Sequence, residues 1–359
     1  MSSPSPPLSH IPQDIVSASD YARRAPQHTT AAAWAYLSGG ASDEITLAEN
    51  TAAFARIKLL PHVLQPIAGG HTRLELAGPS LSHPFLLAPV GWQRVFHADG
   101  EIAVAQAASI LDTPFILSTF ATTRIEDAAA AATAPLWFQI YLQPDRSHTE
   151  DLVRRAEAAG CRALVVTVDA PVSGVRNREQ RAGWQVPAHL SAVNLPPPAY
   201  STASFAQAMA SSPGWKDIEW LAGITSLPVF IKGILHPDDA AQSLASGAAG
   251  VIVSNHGGRV LDTVPAAIDA LPAIAERLSG AAPILMDGGI RRGTDAFKAI
   301  ALGASAVLIG RPYIQALSVA GALGVAHLIR TLREELEITM ALMGCATLAE
   351  IGPQHLVAG

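Results

Sequence analysis

The feature of this sequence that most limits its fold is an alternation of short apolar runs and alanine-rich amphipathic stretches from residue 85 onward. Short runs rich in β-branched residues predict buried strands, and the amphipathic stretches predict helices. Strands that alternate with helices predict βαβ units and therefore a parallel sheet. The candidate strands are residues 85–89, 115–118, 137–142, 163–169, 228–234, 250–255, 283–288 and 306–310.

The number of these units favours a closed barrel. The clearest helical stretches lie at residues 125–132, 149–159, 237–246 and 293–302. Eight βα units are what a (β/α)8 barrel requires. An open doubly wound sheet is the alternative, but no Gly-x-Gly-x-x-Gly motif follows the first strand. The sequence therefore predicts an α/β fold of the TIM-barrel class, with residues 1–359 in one domain.

Two segments depart from the alternation. Residues 1–84 precede the first strand, and we expect them to form helices that cover one end of the barrel. Their first part, residues 1–14, is polar and proline-rich, which predicts a disordered arm. The connection from the fourth strand to the fifth is unusually long, and its middle is rich in proline. This pattern predicts a mobile flap over residues 177–213.

Composition argues against several classes of partner. The net charge is −6 and no basic tract is present, so we expect no nucleic-acid partner. Cys161 and Cys345 lie far apart, which argues against a disulfide framework or a metal site. The sequence has no secretory signal pattern and no run of 18 apolar residues, so we expect a cytoplasmic protein without a membrane span.

The segment after the sixth strand, residues 254–259, combines a histidine and an arginine three positions apart, His256 and Arg259. Histidine has the side-chain pKa nearest to neutral pH, so it suits proton abstraction. Arginine can hold a carboxylate through two parallel hydrogen bonds. This pair predicts a substrate that carries a carboxylate beside the proton to be removed.

Other strand ends also carry polar residues, at the end of the barrel where such folds build their sites. Gly288-Gly289 and Gly310-Arg311 follow the last two strands, and their amides and arginine suit a phosphate dianion. Lys232 lies in the apolar fifth strand, where burial without a partner is costly. A partner that becomes electron-rich, such as a reduced flavin ring, would explain that lysine.

These segments resemble the family of FMN-dependent 2-hydroxy acid oxidases and dehydrogenases, which includes glycolate oxidase, lactate oxidase and mandelate dehydrogenase. The resemblance extends from about residue 15 to residue 355. The segments that carry it are residues 35–40, 46–50, 167–171, 254–262 and 287–295.

The resemblance implies roles for the residues around the substrate. His256 is implied as the base, and Asp169 as the carboxylate that supports its protonated ring. Tyr141 is implied to lie near the substrate hydroxyl and counts among the catalytic residues. The residues implied to contact the substrate are Tyr36, Gly91, Phe120, Tyr141, Arg176 and Arg259.

The resemblance also implies FMN as the cofactor. Lys232 is implied at the N1–O2 edge of the flavin, where it stabilises the reduced anion. The residues implied to line the isoalloxazine are Pro89, Val90, Gly91, Ser118, Gln139, Thr167 and Ser254. The residues implied to hold the ribityl chain and phosphate are Asp287, Gly289, Arg291, Gly310 and Arg311.

The implied reaction is the oxidation of (S)-2-hydroxy acids to 2-keto acids, with O2 reduced to H2O2. Gly91 stands where many members carry alanine, and Phe120 replaces a frequent tryptophan. A missing methyl beside the flavin predicts room for a medium or aromatic side chain, as in mandelate. Members are commonly tetramers or octamers, so the resemblance also implies a homo-oligomer.

Alternatives to this reaction stay open. One is a dehydrogenase that passes electrons to a quinone or a protein carrier, and another is a monooxygenase that decarboxylates the keto acid. A third is a scaffold that binds flavin without catalysis, but His256, Asp169, Arg176 and Arg259 are all present. The sequence does not distinguish loss of the α hydrogen as hydride from its loss as a proton.

Overall fold

Eight parallel strands close into a barrel, which confirms the predicted (β/α)8 architecture. The computed structural model describes residues 3–78, 80–196, 209 and 212–357. Each strand pairs with the next along the chain, and the last pairs with the first. The strands are β1 (Phe85–Leu87), β2 (Phe115–Leu117), β3 (Leu136–Ile140), β4 (Leu164–Thr167), β5 (Val229–Ile234), β6 (Gly250–Val253), β7 (Ile284–Met286) and β8 (Ala306–Ile309).

Burial of the strands on both faces explains why each reads as a continuous apolar run. Within the strands, every residue except Gly233 is buried. Most strands end before the predicted run does, because its last residues form the loops at the barrel mouth. The side chains that fill the barrel interior are Leu86, Ile116, Trp137, Val165, Phe230, Ile252, Leu285 and Leu308.

Helices surround the barrel, and each of the four stretches predicted to be helical overlaps one of them. The helices that follow β1 to β7 are Gly100–Ile110, Ile125–Ala131, Arg146–Ala158, Asn177–Arg181, Trp215–Ile224, Pro237–Ala245, Ala267–Leu278 and Gly293–Ala301. Short 3-10 turns lie at Ala25–Gln27, Gln93–Val95, Leu348–Glu350 and Pro353–His355.

The last helix, Arg311–Met343, is interrupted by non-helical backbone at Ala320 and Gly321. Among the described residues it is the one helix long and apolar enough to cross a membrane. However, 78% of its most apolar window is buried inside the protein. Its apolar side chains therefore pack in the core, as in the central helices of globular domains.

The chain before the barrel forms the helices Ala18–Arg24, Ala31–Ser38 and Ile45–Arg56, as expected. Asp262, in the loop after β6, accepts hydrogen bonds from the amides of Asp43, Ile45 and Thr46. This carboxylate holds the start of the third helix against the C-terminal end of the barrel. A two-stranded antiparallel pair follows, formed by Leu74–Glu75 and Ser80–Leu81.

Two predictions concern motion and stay predictions. In the arm at residues 1–14, described from residue 3, the Ser5 amide donates to Gln27 O and the Leu8 amide to Val319 O. These bonds place the arm against the protein. In the flap at residues 177–213, the chain is described to residue 196. The flap's remaining residues, apart from 209, 212 and 213, lie outside the described part.

Candidate active site

The C-terminal ends of the strands surround a cavity of about 570 Å³. All of the predicted site residues line it except Asp169 and Ser254, which lie behind its wall. Among the described residues, five cationic side chains and two carboxylates line the cavity, a net formal charge of +3 with His256 neutral. The cations are Arg176, Lys232, Arg259, Arg291 and Arg311, and the carboxylates are Glu179 and Asp287.

His256 lies just past β6 and is oriented by Asp169, which follows β4. The ring Nδ1 is 2.8 Å from Asp169 Oδ1, which leaves Nε2 as the second ring nitrogen. Burial alone would raise the pKa of the Asp169 carboxyl, but His256 and Lys232 hold that pKa below its usual value. An ionised carboxylate on Nδ1 lets the ring accept a proton at Nε2.

Gly233 makes this approach possible. It has φ +107° at a bulge in β5, and a Cβ there would lie 2.5 Å from Asp169 Cβ. His256 also has a positive φ, +58°, and its amide donates to Ser254 Oγ at 3.0 Å. Histidine tolerates this conformation better than most residues do. The backbone conformations at Gly233 and His256 therefore allow His256 and Asp169 to pair.

Arg259 is held by the segment before the barrel. Its Nη1 donates to Tyr36 O and to Gly39 O, and its guanidinium lies 4.9 Å from the centroid of the Tyr36 ring. Arg176 Nε donates to Arg259 O at 3.1 Å, which brings the second predicted clamp beside the first. Burial lowers the pKa of Arg259, and the charge of Arg176 lowers it further. Two adjacent guanidiniums, that of Arg259 largely buried and that of Arg176 partly exposed, make this part of the cavity strongly attractive to a carboxylate.

Both predicted tyrosines remain neutral phenols in this site. Burial raises the pKa of Tyr36, although the nearby Arg259 opposes the shift. Burial also raises the pKa of Tyr141, and the charge of Asp169 adds to the effect. The Tyr141 ring lies 5.4 Å from that of Phe120. Each phenol can therefore donate a hydrogen bond at neutral pH.

Lys232 lies at the mouth of the barrel with only 5% of its side chain exposed. Its Nζ is 2.9 Å from Asp287 Oδ2 and donates to Ser254 Oγ at 2.8 Å. Ser254 therefore supports Lys232 and His256 and does not form the cavity wall itself. The other carboxylate oxygen of Asp287 is buried and finds no hydrogen-bond partner among the described residues.

The residues predicted to line an isoalloxazine ring are joined by hydrogen bonds across three strands. Ser118 Oγ donates to Gln139 Oε1 at 3.2 Å, and Gln139 Nε2 donates to Thr167 Oγ1 at 3.0 Å. These bonds fix the amide of Gln139 in one orientation. Pro89 and Val90, which follow β1, complete the wall on this side.

Arg291 and Arg311, near the ends of β7 and β8, form a second anion site. Burial lowers the pKa of both guanidiniums, that of Arg311 most strongly, and Arg311 donates to Leu37 O and Gly257 O. A Cβ on Gly310 would meet only Ala88 Cβ, at 3.8 Å, so the space beside it is open. A phosphate group would fit this site and satisfy its cations.

The structure explains Gly91 differently from the sequence analysis, which expected the missing methyl to leave room for the substrate side chain. A Cβ at Gly91 would lie 2.8 Å from Phe120 Cβ and 3.1 Å from Phe120 O. The space that a methyl would fill is therefore already taken by Phe120. Gly91 acts by letting the loop after β2 approach the loop after β1, and Phe120 then shapes the cavity.

Glu179 and Trp184 are among the residues of the cavity wall that the sequence reasoning missed. Glu179 Oε1 accepts from Arg259 Nη2 at 3.0 Å, and its Oε2 is 3.5 Å from Arg176 Nη1. Trp184 stacks on Tyr36 with the ring centroids 4.6 Å apart. The spacing of three residues between Arg176 and Glu179 is the signal that could have indicated their pairing on a helix.

The comparisons with known proteins agree with this geometry. The chain matches the family described as FMN-dependent dehydrogenase over residues 25–358. It belongs to the FMN-dependent 2-hydroxy acid oxidase and dehydrogenase family.

Two named relatives of this family match the chain over nearly its whole length. An L-lactate oxidase of Alicycliphilus denitrificans is 49% identical, over 96% of this chain and 97% of its own. Glycolate oxidase 1 of Zea mays is 41% identical, over 96% of each chain.

Solved structures of the family share the fold closely. Mandelate oxidase with (S)-2-phenylpropionate has a TM-score of 0.88 and 38% identity, over 95% of this chain and 98% of that chain. FMN is thus the cofactor of the family to which the chain belongs. The buried Lys232, the unpartnered Asp287 oxygen and the open space at Gly310 fit it.

The contact at Gly91 generates a stability prediction. Gly91→Ala should lower the free energy of unfolding by about 1–3 kcal/mol, because Phe120 must shift to admit the methyl. Urea denaturation of the FMN-loaded proteins measures this change. Gly223→Ala is the control, because a Cβ there meets nothing within 4 Å and helix propensity favours alanine. A Gly91→Ala protein as stable as wild type would contradict the described contact.

Proposed function

We propose that this protein oxidises (S)-2-hydroxy acids to 2-keto acids with O2 as the electron acceptor. The reaction removes two protons and two electrons from the substrate, and O2 takes up both pairs to become H2O2. The observation that carries the proposal is the His256–Asp169 pair, which opens onto the same cavity as the clamp of Arg176 and Arg259.

The clamp of Arg176 and Arg259 would neutralise the substrate carboxylate, which is the first requirement of this reaction. A hydrogen on carbon next to a carboxylate is poorly acidic, so the carboxylate must be neutralised and held still. Arg176 and Arg259 supply the charge, and the neutral Tyr36 phenol supplies a further donor. Tyr141 lines the same cavity, close enough to Asp169 for that charge to raise its pKa, and it would donate to the substrate hydroxyl oxygen.

His256 takes the proton that the substrate releases. Its Nδ1 is committed to Asp169, so Nε2 is the nitrogen that accepts the proton. The ionised Asp169 then stabilises the imidazolium. The cavity walls largely enclose His256 and Asp169. The positive charge that forms on the imidazole ring is therefore balanced by the fixed carboxylate of Asp169.

Bound FMN supplies the two-electron acceptor of the reaction. Lys232 would hold the edge of the ring system where negative charge accumulates, and Asp287 and Ser254 keep its ammonium in place. Arg291 and Arg311 would hold the phosphate. Gln139, fixed by Ser118 and Thr167, would line the flavin ring with its amide.

The proposal extends to the side chain of the substrate, with a preference for medium or aromatic groups. Phe120, Tyr141 and Trp184 give the cavity an aromatic wall, which suits such groups. The 38% identical solved relatives are mandelate oxidases. L-Lactate is the second candidate, because the 49% identical relative is an L-lactate oxidase.

A substrate panel tests the proposed function. We expect kcat/KM for (S)-mandelate and longer (S)-2-hydroxy acids to exceed that for glycolate by about tenfold or more. L-Lactate at the head of the panel would favour the second candidate. Equal yields of keto acid and H2O2 are expected, and a shortened acid would contradict the oxidase. Stopped-flow reoxidation that is faster with a quinone than with O2 would contradict the acceptor.

Removal of the base tests its role. His256→Ala should lower kcat/KM by about 10²–10⁴-fold, because no other group takes the substrate proton. FMN content should stay the same, since the substitution leaves the proposed phosphate residues Arg291 and Arg311 in place. His148→Ala, at an exposed histidine, is the matched control and should leave kcat/KM unchanged. Turnover of His256→Ala at the wild-type rate would exclude His256 as the base.

A further inference from the structure

Glu179 is a buried carboxylate that contacts both arginines of the clamp. It has 11% of its side chain exposed, and it accepts a hydrogen bond from Arg259 Nη2 while its second oxygen faces Arg176 Nη1. The mechanism proposed above gives it no part in proton or electron transfer. A buried carboxylate held between two cations nevertheless needs a reason, because removing it from water is costly.

The clamp without Glu179 would be electrostatically unfavourable. Arg176 and Arg259 lie side by side, and the charge of Arg176 lowers the pKa of Arg259. Glu179 reduces the formal charge of the pair from +2 to +1. A monocarboxylate then completes neutralisation, while it must share the guanidinium donors with Glu179. Three of the five N–H donors of Arg259 are already committed, to Tyr36 O, Gly39 O and Glu179 Oε1.

The segment that carries Glu179 is itself held in place. Glu179 lies in the short helix Asn177–Arg181, where Arg178 pairs with Glu44 and donates to Ser38 Oγ. The Trp184 amide donates to Glu179 O at 3.0 Å, and the Trp184 ring stacks on Tyr36. The carboxylate is therefore presented to the clamp by fixed neighbours.

We propose that Glu179 is the resting counter-anion of the clamp and that it competes with the substrate carboxylate for Arg259 and Arg176. The inference rests on the proposed function, because it takes the clamp to be the substrate's carboxylate site. Glu179 stabilises the two arginines before substrate arrives, and it limits how tightly a carboxylate binds. The same competition assists release of the 2-keto acid, which carries the same carboxylate.

The test is binding of unreactive carboxylates, measured without turnover. Isothermal titration calorimetry with pyruvate and with benzoylformate gives their Kd values for FMN-loaded wild type and Glu179→Gln. The amide keeps the size of the side chain and removes its charge. We expect Kd to fall by about three- to tenfold in Glu179→Gln, because a nearby like charge is removed. The KM for the 2-hydroxy acid should fall by the same factor.

Two further variants, one a control and one a conservative substitution, complete the test. Glu337→Gln removes an exposed carboxylate that pairs with Arg333 on the last helix, outside the cavity, and is the matched control, with Kd within twofold of wild type. Glu179→Asp keeps the charge on a shorter side chain, and its Kd should lie between those of wild type and Glu179→Gln. If the Glu179→Gln protein fails to retain FMN, the Kd of Glu179→Asp is compared with that of wild type instead and should be the lower of the two.

The outcomes separate the two proposals. A Kd that is unchanged or raised in Glu179→Gln, with wild-type FMN content and unfolding midpoint, would overturn the role of Glu179 and indicate that it only orients the arginines. A wild-type protein that binds these keto acids but oxidises no 2-hydroxy acid would overturn the proposed function alone. A wild-type protein that binds neither keto acid would overturn both.

Discussion

The structure depends on five largely buried cationic side chains around one cavity, which they share with two carboxylates among the described residues. Cations in such a place are costly unless anions and hydrogen-bond acceptors compensate them. A phosphate dianion and a monocarboxylate together carry as many negative charges as the cavity has in excess. The same charge balance therefore accounts for the phosphate site at Arg291 and Arg311 and for the carboxylate clamp at Arg176 and Arg259.

The barrel supplies part of this compensation, and the chain before it supplies the rest. Parallel strands bring Lys232, Asp287 and Ser254 to one end, where they form a buried group. The carbonyl oxygens of Tyr36, Leu37 and Gly39 accept hydrogen bonds from Arg259 and Arg311. The helix Ala31–Ser38 is therefore part of the site, although it precedes the barrel. Asp262 holds the next helix in register by three amide hydrogen bonds.

Much of this arrangement could be predicted from the sequence. The alternation of strands and helices predicts the barrel, because each strand is buried on both faces. Because the strands are parallel, the residues at their C-terminal ends come together. His256, Lys232 and Arg311 could therefore be predicted from the sequence. Glu179 was missed because its partners come from two loops, and only the spacing from Arg176 hinted at it. The reason for Gly91 was missed because it depends on where Phe120 packs.

The prediction of a homo-oligomer rests on the resemblance, whereas those of location and mobility rest on composition and loop length. A cytoplasmic location, a homotetramer or octamer, and mobility of the arm and of the flap stay predictions. They concern partners, compartments and motion, which the charge and packing around one cavity do not determine. The roles of the individual site residues stay proposals as well, supported by the distances between them.

The central claim is that one cavity joins the base, the carboxylate clamp and the flavin site into a centre for 2-hydroxy acid oxidation. Anaerobic mixing of the FMN-loaded protein with each enantiomer of a 2-hydroxy acid tests it most directly. The account predicts that the (S)-enantiomer bleaches the absorbance of the oxidised flavin, while the (R)-enantiomer leaves it unchanged. Retention of the oxidised spectrum with every (S)-2-hydroxy acid, or equal bleaching by both enantiomers, would contradict the account.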